Sequence, residues 1–320
     1  MAVHTILNKD EVSNFLENYN IGYLKDYSGI TEGIENTNYL IKTDKQKYIL
    51  TLYEKRTNKR DIPFYLDLMK FSKNNGLECP LPILSKSQKD ILVLKGKNTS
   101  LFTFLNGKCL KKWNQNNCFE VGKILAKFHR VNKKFYKKKS NNLGYTGWKK
   151  LFKECQKDMD LKISGSRSLL NIEMNFLEKN WPKNLPSGII HADLFPDNIL
   201  FSGKKKISGI LDFYFSCNDL YIYDLAIAIN AWCFENNIFK KHFFNSLIKG
   251  YQASRKLTLG ERKNLNICLR GAAVRFFFTR MYDLINVNTL NKPIAKDPND
   301  YLKRLKFHLS KNIAEEFSFE

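Results

Sequence analysis

The stretch that most constrains this chain spans residues 189 to 200 and reads Ile-Ile-His-Ala-Asp-Leu-Phe-Pro-Asp-Asn-Ile-Leu. Apolar residues typical of strands flank its polar centre, and a second apolar run ends at Asp212. Two carboxylates, Asp193 and Asp212, and the carboxamide of Asn198 therefore stand at the ends of strand-like segments. The intervening residues 199 to 211 predict a β-hairpin that turns at Gly203 and Lys204 and returns Asp212 towards Asn198.

These residue types suit phosphoryl transfer. The γ-phosphoryl group of ATP needs hard oxygen ligands for Mg²⁺, and Asp212 and Asn198 are predicted to supply them. Asp193 lies five positions before Asn198, the spacing of the protein-kinase catalytic loop, and is predicted to accept the proton of a substrate hydroxyl. His191 is expected to shape the loop by hydrogen bonding to backbone. A single motif of this kind carries little weight, whereas all three side chains in order favour a kinase-like site.

Length and composition fit a globular protein with two lobes. The chain has 320 residues, of which 43% are hydrophobic and 26% charged. We predict an α+β fold with a nucleotide-binding lobe over residues 1–105 and a catalytic, substrate-binding helical lobe over residues 106–320.

The net charge of +22 invites a nucleic-acid hypothesis. The lysines, however, stand in short groups in predicted turns, such as 137–139 and 204–206, without a recognisable nucleic-acid module beside them. This pattern favours a solvated, Lys-rich surface, and no nucleic-acid partner is expected.

The seven cysteines include no C-x-x-C pair, which argues against a zinc site and a disulfide framework and fits a reducing compartment. The amino terminus lacks the pattern of a signal peptide. The most apolar stretch, residues 220–234, is interrupted by Asp224 and is too short to span a bilayer. We therefore expect a cytoplasmic protein without a membrane segment.

The first third of the chain predicts a small sheet with two helices. Helices are expected over residues 9–19 and 61–75, and strands near 27–53, 90–94 and 100–105. Backbone around Gly29 and Gly33, with Asn36, is predicted to approach phosphate, although two glycines in a hairpin are more often turn formers. The strand end at Phe104 and Leu105 is the candidate hinge to adenine, and an ordinary strand end is an equal alternative.

The remaining two thirds are predominantly helical in pattern. Helices are predicted from residue 117 and over residues 169–180, with others near 239–254, 261–286 and 301–309. An apolar helix is expected to open at Tyr223-Asp224-Leu225-Ala226.

His191 to Asn198, followed by Ile-Leu-Asp212-Phe, resembles the aminoglycoside phosphotransferase and choline kinase superfamily, which has the protein-kinase-like fold. The resemblance to the bacterial homoserine kinases of that superfamily is narrower and covers almost the whole chain. It rests on residues 29–39, 48–54, 212–219, 223–235, 270–283 and 296–301. It implies transfer of phosphate from ATP, with Mg²⁺, to the side-chain hydroxyl of L-homoserine.

One position departs from the wider kinase pattern. Thr51 stands where the small lobe usually carries a phosphate-binding lysine. Either Thr51 shares phosphate binding with a neighbouring base such as Lys42 or Lys55, or anchoring of the triphosphate depends more on a loop and on the metal ion.

An amino-acid substrate needs a cation for its carboxylate, because guanidinium matches a carboxylate bidentately. Arg270, Arg275 and Arg280 are candidates, and pairing with acidic residues of the lobe is at least as good an explanation of each. Tyr214, Asp219 or Glu235 would meet the ammonium group.

Two alternatives stay open at this point. One is another small-molecule kinase of the same fold, acting on choline, an aminoglycoside or an amino alcohol. The other is a non-catalytic protein that binds nucleotide or nucleic acid. The positive net charge motivates this alternative, and the presence of Asp193, Asn198 and Asp212 argues against it.

Overall fold

The computed structural model describes residues 3–31, 36–54, 57–203, 206–286, 296–313 and 315. These residues divide into two compact units. The first contains the described residues through Gly107 together with Ser208–Tyr214, and the second contains the others.

The first unit is a sheet with two helices. Its elements are α1 (Lys9–Leu16), β1 (Leu24–Ile30), β2 (Thr37–Thr43), β3 (Lys47–Leu52), α2 (Ile62–Asn74), β4 (Leu92–Leu94) and β5 (Lys97–Thr103). The strands form one antiparallel sheet of five in the order β1-β2-β3-β5-β4. This arrangement confirms the small antiparallel sheet expected in the first third of the chain.

Alternation along the strands buries one face of this sheet. In β2, every second residue from Thr37 to Thr43 is buried. The predicted apolar face of α1, Val12, Phe15 and Leu16, is buried in the same core cluster. A capping box starts that helix, because the Asn8 side chain accepts from the Glu11 amide at 2.8 Å while the Glu11 carboxylate accepts from the Asn8 amide.

The second unit is mainly helical. Its helices are α3 (Gln115–Val131), α4 (Tyr145–Cys155), α5 (Met159–Lys162), α6 (Ser166–Asn180), α7 (Tyr221–Trp232), α8 (Lys241–Ser254), α9 (Leu259–Asn286) and α10 (Asn299–Ser310). Its strands are β6 (Ser187–Ile190), β7 (Ile199–Ser202), β9 (Cys217–Leu220), β10 (Phe234–Glu235) and β11 (Ile238–Phe239), and β8 (Lys206–Ile210) follows β7 along the chain.

Short strand pairs frame the polar stretch. β6 pairs antiparallel with β9, so that Ile190 lies opposite Cys217. β7 and β8 form a two-stranded sheet, and Gly203 between them has the left-handed φ of +64° that such turns require. The predicted hairpin is therefore confirmed, while Lys204 lies outside the described residues.

The helices pack closely in this unit. Every residue of α7 is buried, and α9 contacts both α7 and α10. α3 and α8 approach each other at Gly122 and Gly250, where the facing backbone leaves no room for a side chain. Among the described residues, no helix combines the length and apolar character needed to cross a bilayer.

Candidate active site

Residues 191–198, here named the catalytic loop because they include the predicted base Asp193, form a tight connection between β6 and β7. Leu194 in the loop and Ile199 at the start of β7 are buried and fix the loop to the core, and a 3₁₀ turn over Pro196–Asn198 completes it. His191 is fully buried, and its Nδ1 accepts a hydrogen bond from the Asp193 amide at 3.3 Å. This contact confirms the expectation that His191 shapes the loop.

Asp224, in the first turn of α7, accepts hydrogen bonds from the backbone of the catalytic loop. Its Oδ1 accepts from the Ala192 amide and its Oδ2 from the His191 amide, both at 2.8 Å. His129 Nε2 also donates to Oδ2, at 2.9 Å, while its Nδ1 accepts from the Tyr251 hydroxyl at 2.8 Å. Three donors thus converge on one buried carboxylate, which ties α3, α7 and the loop together.

The protonation states of this network follow from its surroundings. Burial lowers the pKa of His129, which stays neutral with its proton on Nε2. Burial alone would raise the pKa of Asp224, but the hydrogen bond from His129 and the backbone amide of His191 outweigh it and lower that pKa. Asp224 is not among the site residues predicted from the sequence. The signal was present, because an Asp near the start of a predominantly apolar, buried helix requires internal partners for its carboxylate.

Asp193 and Asn198 are hydrogen-bonded to each other. The Asn198 amide nitrogen donates to the Asp193 carbonyl at 2.8 Å and to its carboxylate Oδ2 at 2.9 Å. Burial raises the pKa of Asp193 to about 6, although Arg275 and Lys296 lower it. A carboxylate with a pKa near neutrality is suited to accept a proton from a hydroxyl group.

Arg275 supports the loop on its other side. Its side chain is 1% exposed, and Nη1 donates to the Ala192 carbonyl at 2.6 Å. Ala192 has a φ of +65°, a left-handed conformation that a residue with a side chain adopts only where its surroundings enforce it. The guanidinium also packs over the rings of Phe215 and Phe276.

Asp212 shares this backbone feature. It follows β8 in the first unit and has a φ of +55°. Its Oδ1 accepts from the Tyr214 amide at 3.3 Å. Both predicted carboxylates therefore lie at or beside a strained backbone position, which is typical of functional sites.

Tyr214, a candidate for the substrate ammonium, packs within the first unit. Its ring meets those of Tyr53 and Tyr65 edge-on, each with centroids 5.6 Å apart. Burial raises its pKa well above the usual value, and the neighbouring Tyr53 adds to the effect. Tyr214 is therefore a neutral phenol at physiological pH.

Two residues predicted to bind nucleotide belong to the sheet: Thr51 lies on β3, and Asn36 directly precedes β2. Thr51 is buried on β3 and donates to Asn38 Oδ1 on β2 at 2.7 Å. Asn36 Oδ1 accepts from the Glu54 amide at 3.1 Å and from the Thr57 hydroxyl at 2.9 Å. These bonds join the start of β2 to β3 and to the segment that follows β3.

Gly29 lies within β1 opposite Tyr39. A Cβ there would lie 2.7 Å from Val3 Cγ2, so close packing accounts for this glycine without a bound phosphate. Gly33 lies outside the described residues.

The candidate hinge residues follow β5. The Lys47 ammonium lies 5.5 Å from the centroid of the Phe104 ring. Leu105 packs against Gly209 on β8, where a Cβ would lie 2.6 Å from Leu105 Cδ1.

Of the two bases predicted to share the work of Thr51, the structure describes Lys42, which has an acidic partner. Lys42 pairs with Asp26 at 2.7 Å, and Lys55 lies outside the described residues. Lys97 on β5, which the sequence analysis did not consider, pairs with Glu54.

Two of the candidate substrate arginines form ion pairs. Arg270 donates to Glu173 from both Nε, at 2.8 Å, and Nη2. Arg280 Nη1 donates to the Asp297 carbonyl at 2.9 Å and to Asp300 Oδ2 at 3.2 Å. The contacts with Glu173 and Asp300 are the pairing with acidic residues of the lobe that was the alternative to substrate binding.

The two remaining acidic candidates differ in exposure. Asp219 is mostly enclosed, and its carboxylate accepts from Asn141 Nδ2 and from the Leu220 amide, both at 2.7 Å. Burial raises its pKa. Glu235 is 53% exposed and lies 3.3 Å from the Lys240 ammonium.

An open pocket of about 430 Å³ lies beside Asp219. Its lining consists of Lys138, Lys139, Ser140, Asn141, Gly144, Asn218 and Asp219.

The residues present are compatible with Mg²⁺. In the described part of the chain, no three His, Cys, Asp or Glu side chains cluster as metal ligands. Mg²⁺ at phosphoryl-transfer sites needs only one or two protein oxygens, because phosphate and water complete its octahedron. The Asn198 amide oxygen suits this role, since both hydrogen bonds to Asp193 use the amide nitrogen.

Comparison with known proteins agrees with this chemistry. Residues 26–257 match the phosphotransferase enzyme family. The chain is 44% identical to the homoserine kinase of Agrobacterium fabrum (strain C58) over 98% of both chains, and 43% identical to that of Rhizobium meliloti (strain 1021) over 96% and 94%. An amicoumacin kinase solved with AMP-PNP, Ca²⁺ and Ami shares the fold, with a TM-score of 0.70 at 16% identity over 98% of this chain and 95% of that one. The chain is an enzyme that belongs to the phosphotransferase family and, within it, to the homoserine kinases.

Proposed function

We propose that this enzyme transfers the γ-phosphoryl group of ATP to the side-chain hydroxyl of L-homoserine, forming ADP and O-phospho-L-homoserine. The observation that carries the proposal is the Asp193–Asn198 pair, held by Asp224 and Arg275 in a chain 44% identical to a homoserine kinase.

In this reaction, the hydroxyl oxygen of homoserine forms a bond to the γ-phosphorus as the bond to the β,γ-bridging oxygen breaks. Asp193 Oδ accepts the hydroxyl proton, and ADP leaves with the bridging oxygen. The raised pKa of Asp193 makes it a better base than an ordinary carboxylate while leaving it ionised above pH 6. Asn198 keeps this carboxylate oriented by its hydrogen bond to Oδ2.

Asn198 and Asp212 are the proposed Mg²⁺ ligands, an assignment based on their oxygen chemistry and on the family resemblance. The metal would neutralise charge on the transferred phosphoryl group. On the nucleotide side, Asn36 and Thr51 are proposed to order the backbone that meets the phosphates, and Phe104 and Leu105 to border adenine.

Coupled ADP release with Mg²⁺-ATP tests this proposal against L-homoserine, L-serine, choline and an aminoglycoside. We expect turnover with homoserine and a loss of roughly 10²- to 10⁴-fold in kcat for Asp193→Asn. Asp26→Asn, an exposed aspartate paired with Lys42, is the matched control and should retain activity. Turnover of choline or the aminoglycoside alone would refute the substrate, and full activity of Asp193→Asn would refute the assigned base.

A further inference from the structure

An exposed ion pair borders the catalytic loop and has no role in the chemistry described above. The Lys296 ammonium lies 2.8 Å from Asp197 Oδ2, with side chains 54% and 60% exposed. Asp197 is the residue directly before Asn198, and the ammonium also lies 5.6 Å from the centroid of the Phe195 ring. A solvated pair of this kind contributes little to stability.

The described segment from Lys296 to Tyr301 is fixed against the loop by packing further along the chain. The buried Tyr301 packs against Phe276 with tilted rings, whose centroids are 5.1 Å apart, and its ring centroid lies 6.5 Å from that of Phe195. Arg280 Nη1 donates a hydrogen bond to the carbonyl oxygen of Asp297, the residue after Lys296, at 2.9 Å. The position of Lys296 beside the catalytic loop is therefore built into the fold.

Lys296 and Arg275 are both cations that contact the catalytic loop, Lys296 at Asp197 and Arg275 at Ala192. Of these two cations, Arg275 is buried and bonded to the Ala192 carbonyl, so Lys296 is the one that a solute reaches.

We propose that Lys296 and Asp197 together recognise the zwitterionic head of the amino-acid substrate, with Lys296 binding its α-carboxylate and Asp197 its α-ammonium group. The inference rests on the proposed function and identifies the residues by which that same site recognises its substrate. Two opposite charges held side by side are complementary to the two adjacent charges of an α-amino acid. The short carbon chain of homoserine then directs its hydroxyl towards Asp193.

The exchange of partners is electrostatically balanced. In the free enzyme each side chain neutralises the other, and in the complex each meets the opposite charge of the substrate. Since both are exposed beforehand, the enzyme loses little solvation on binding, and the gain is specificity for a zwitterion over a simple alcohol.

Substrate analogues that lack one charge test the two assignments separately. 3-Aminopropan-1-ol keeps the hydroxyl and ammonium of homoserine but has no carboxylate, and 4-hydroxybutyrate keeps the hydroxyl and carboxylate but has no ammonium. The variants are Lys296→Met and Asp197→Asn, and Lys303→Met, an exposed lysine on α10, is the matched control.

We expect Lys296→Met to lose roughly 10- to 100-fold in kcat/KM for homoserine, chiefly through KM, because a charge-assisted hydrogen bond is removed. Its kcat/KM for 3-aminopropan-1-ol should stay within about twofold of wild type, since that compound makes no contact with Lys296. Asp197→Asn should lose activity on homoserine in the same way but keep that on 4-hydroxybutyrate. Lys296→Arg should recover part of the loss, and Lys303→Met should behave as wild type.

Equal losses on homoserine and on the matching analogue would overturn the inference, because they would indicate damage to the loop rather than a lost substrate contact. Wild-type kinetics of Lys296→Met on homoserine would overturn it as well, while the proposed function stood. Folded wild-type enzyme that fails to turn over homoserine would overturn the proposed function and this inference together.

Discussion

Arg275 Nη1 donates a 2.6 Å hydrogen bond to the carbonyl oxygen of Ala192, the residue before the proposed catalytic base Asp193. The bond joins the middle of α9 to the left-handed turn of the catalytic loop, across 83 positions in the sequence. An arginine predicted as a possible substrate ligand is thus, by its contacts, a residue that positions Asp193.

Replacement of Arg275 by lysine keeps the charge but removes the extended guanidinium that reaches the carbonyl. We expect kcat to fall by roughly 10- to 100-fold with KM for ATP almost unchanged, because a small displacement of the base is costly. Steady-state kinetics with Arg262→Lys as control tests this. Arg262 also lies on α9 and bonds a carbonyl, that of Leu257, at 3.3 Å. A change in KM alone would show that Arg275 binds substrate instead.

Asp224→Asn should disturb the catalytic loop at the backbone amides of His191 and Ala192. An amide side chain places N–H groups towards donors that the carboxylate now satisfies, so one buried backbone N–H is left without an acceptor. We expect the free energy of unfolding to fall by about 2–4 kcal/mol. Denaturant titration measures this loss.

Hydrogen exchange of the His191 and Ala192 amides should speed up in the same variant. Unchanged exchange would mean that the loop is held without Asp224.

Gly122→Ala tests the close approach of α3 and α8. In an ordinary helix this change stabilises by about 1 kcal/mol. Here the new Cβ would lie 2.0 Å from the Leu247 carbonyl oxygen and 2.7 Å from the Tyr251 nitrogen, which are backbone atoms. We therefore expect a net destabilisation of about 1–3 kcal/mol by thermal or chemical unfolding.

Gly260→Ala is the matched control for this change. Its Cβ would meet Leu185 Cδ2 at 2.9 Å, the end of a flexible side chain that is able to move. Equal effects of the two substitutions would contradict the packing argument.

His308 should make stability depend on pH. Burial lowers its pKa to about 3, and its Nε2 donates to Asn230 Oδ1 at 2.7 Å. The unfolded chain binds a proton at this side chain below about pH 6.5, whereas the folded chain resists protonation until about pH 3. Folding stability contributed by this residue is therefore complete above pH 6.5 and declines as the pH falls, by about 3 kcal/mol at pH 4.

His308→Gln retains an amide donor to Asn230 but has no titrating ring. Its free energy of unfolding should fall less steeply between pH 6.5 and pH 4 than that of the wild type. Parallel profiles for the two proteins would show that His308 does not carry this dependence.

Some helices and strand pairs were predictable from the sequence, and others were not. α1, α2 and the long α9 were predicted to within a few residues, because each has a continuous apolar face. α4 and α5 were not predicted, since Trp148, Cys155 and Met159 are their only buried residues. The pairing of β6 with β9 was also missed, because it joins residues about thirty positions apart and the predicted hairpin of β7 and β8 lies between them.

The sequence by itself determined the fold class, and it also led to the proposal of Asp193 as the base and of Asn198 and Asp212 as metal ligands. They stand in short motifs beside apolar strands, where local spacing fixes the place of each side chain along the backbone. Only the tertiary structure decided the partners of the charged residues around them. Arg275 bonds to Ala192 and Lys296 to Asp197 across 83 and 99 positions. The physical reason is that a long flexible cation pairs with whichever acceptor helix packing brings within reach, and no local pattern encodes that choice.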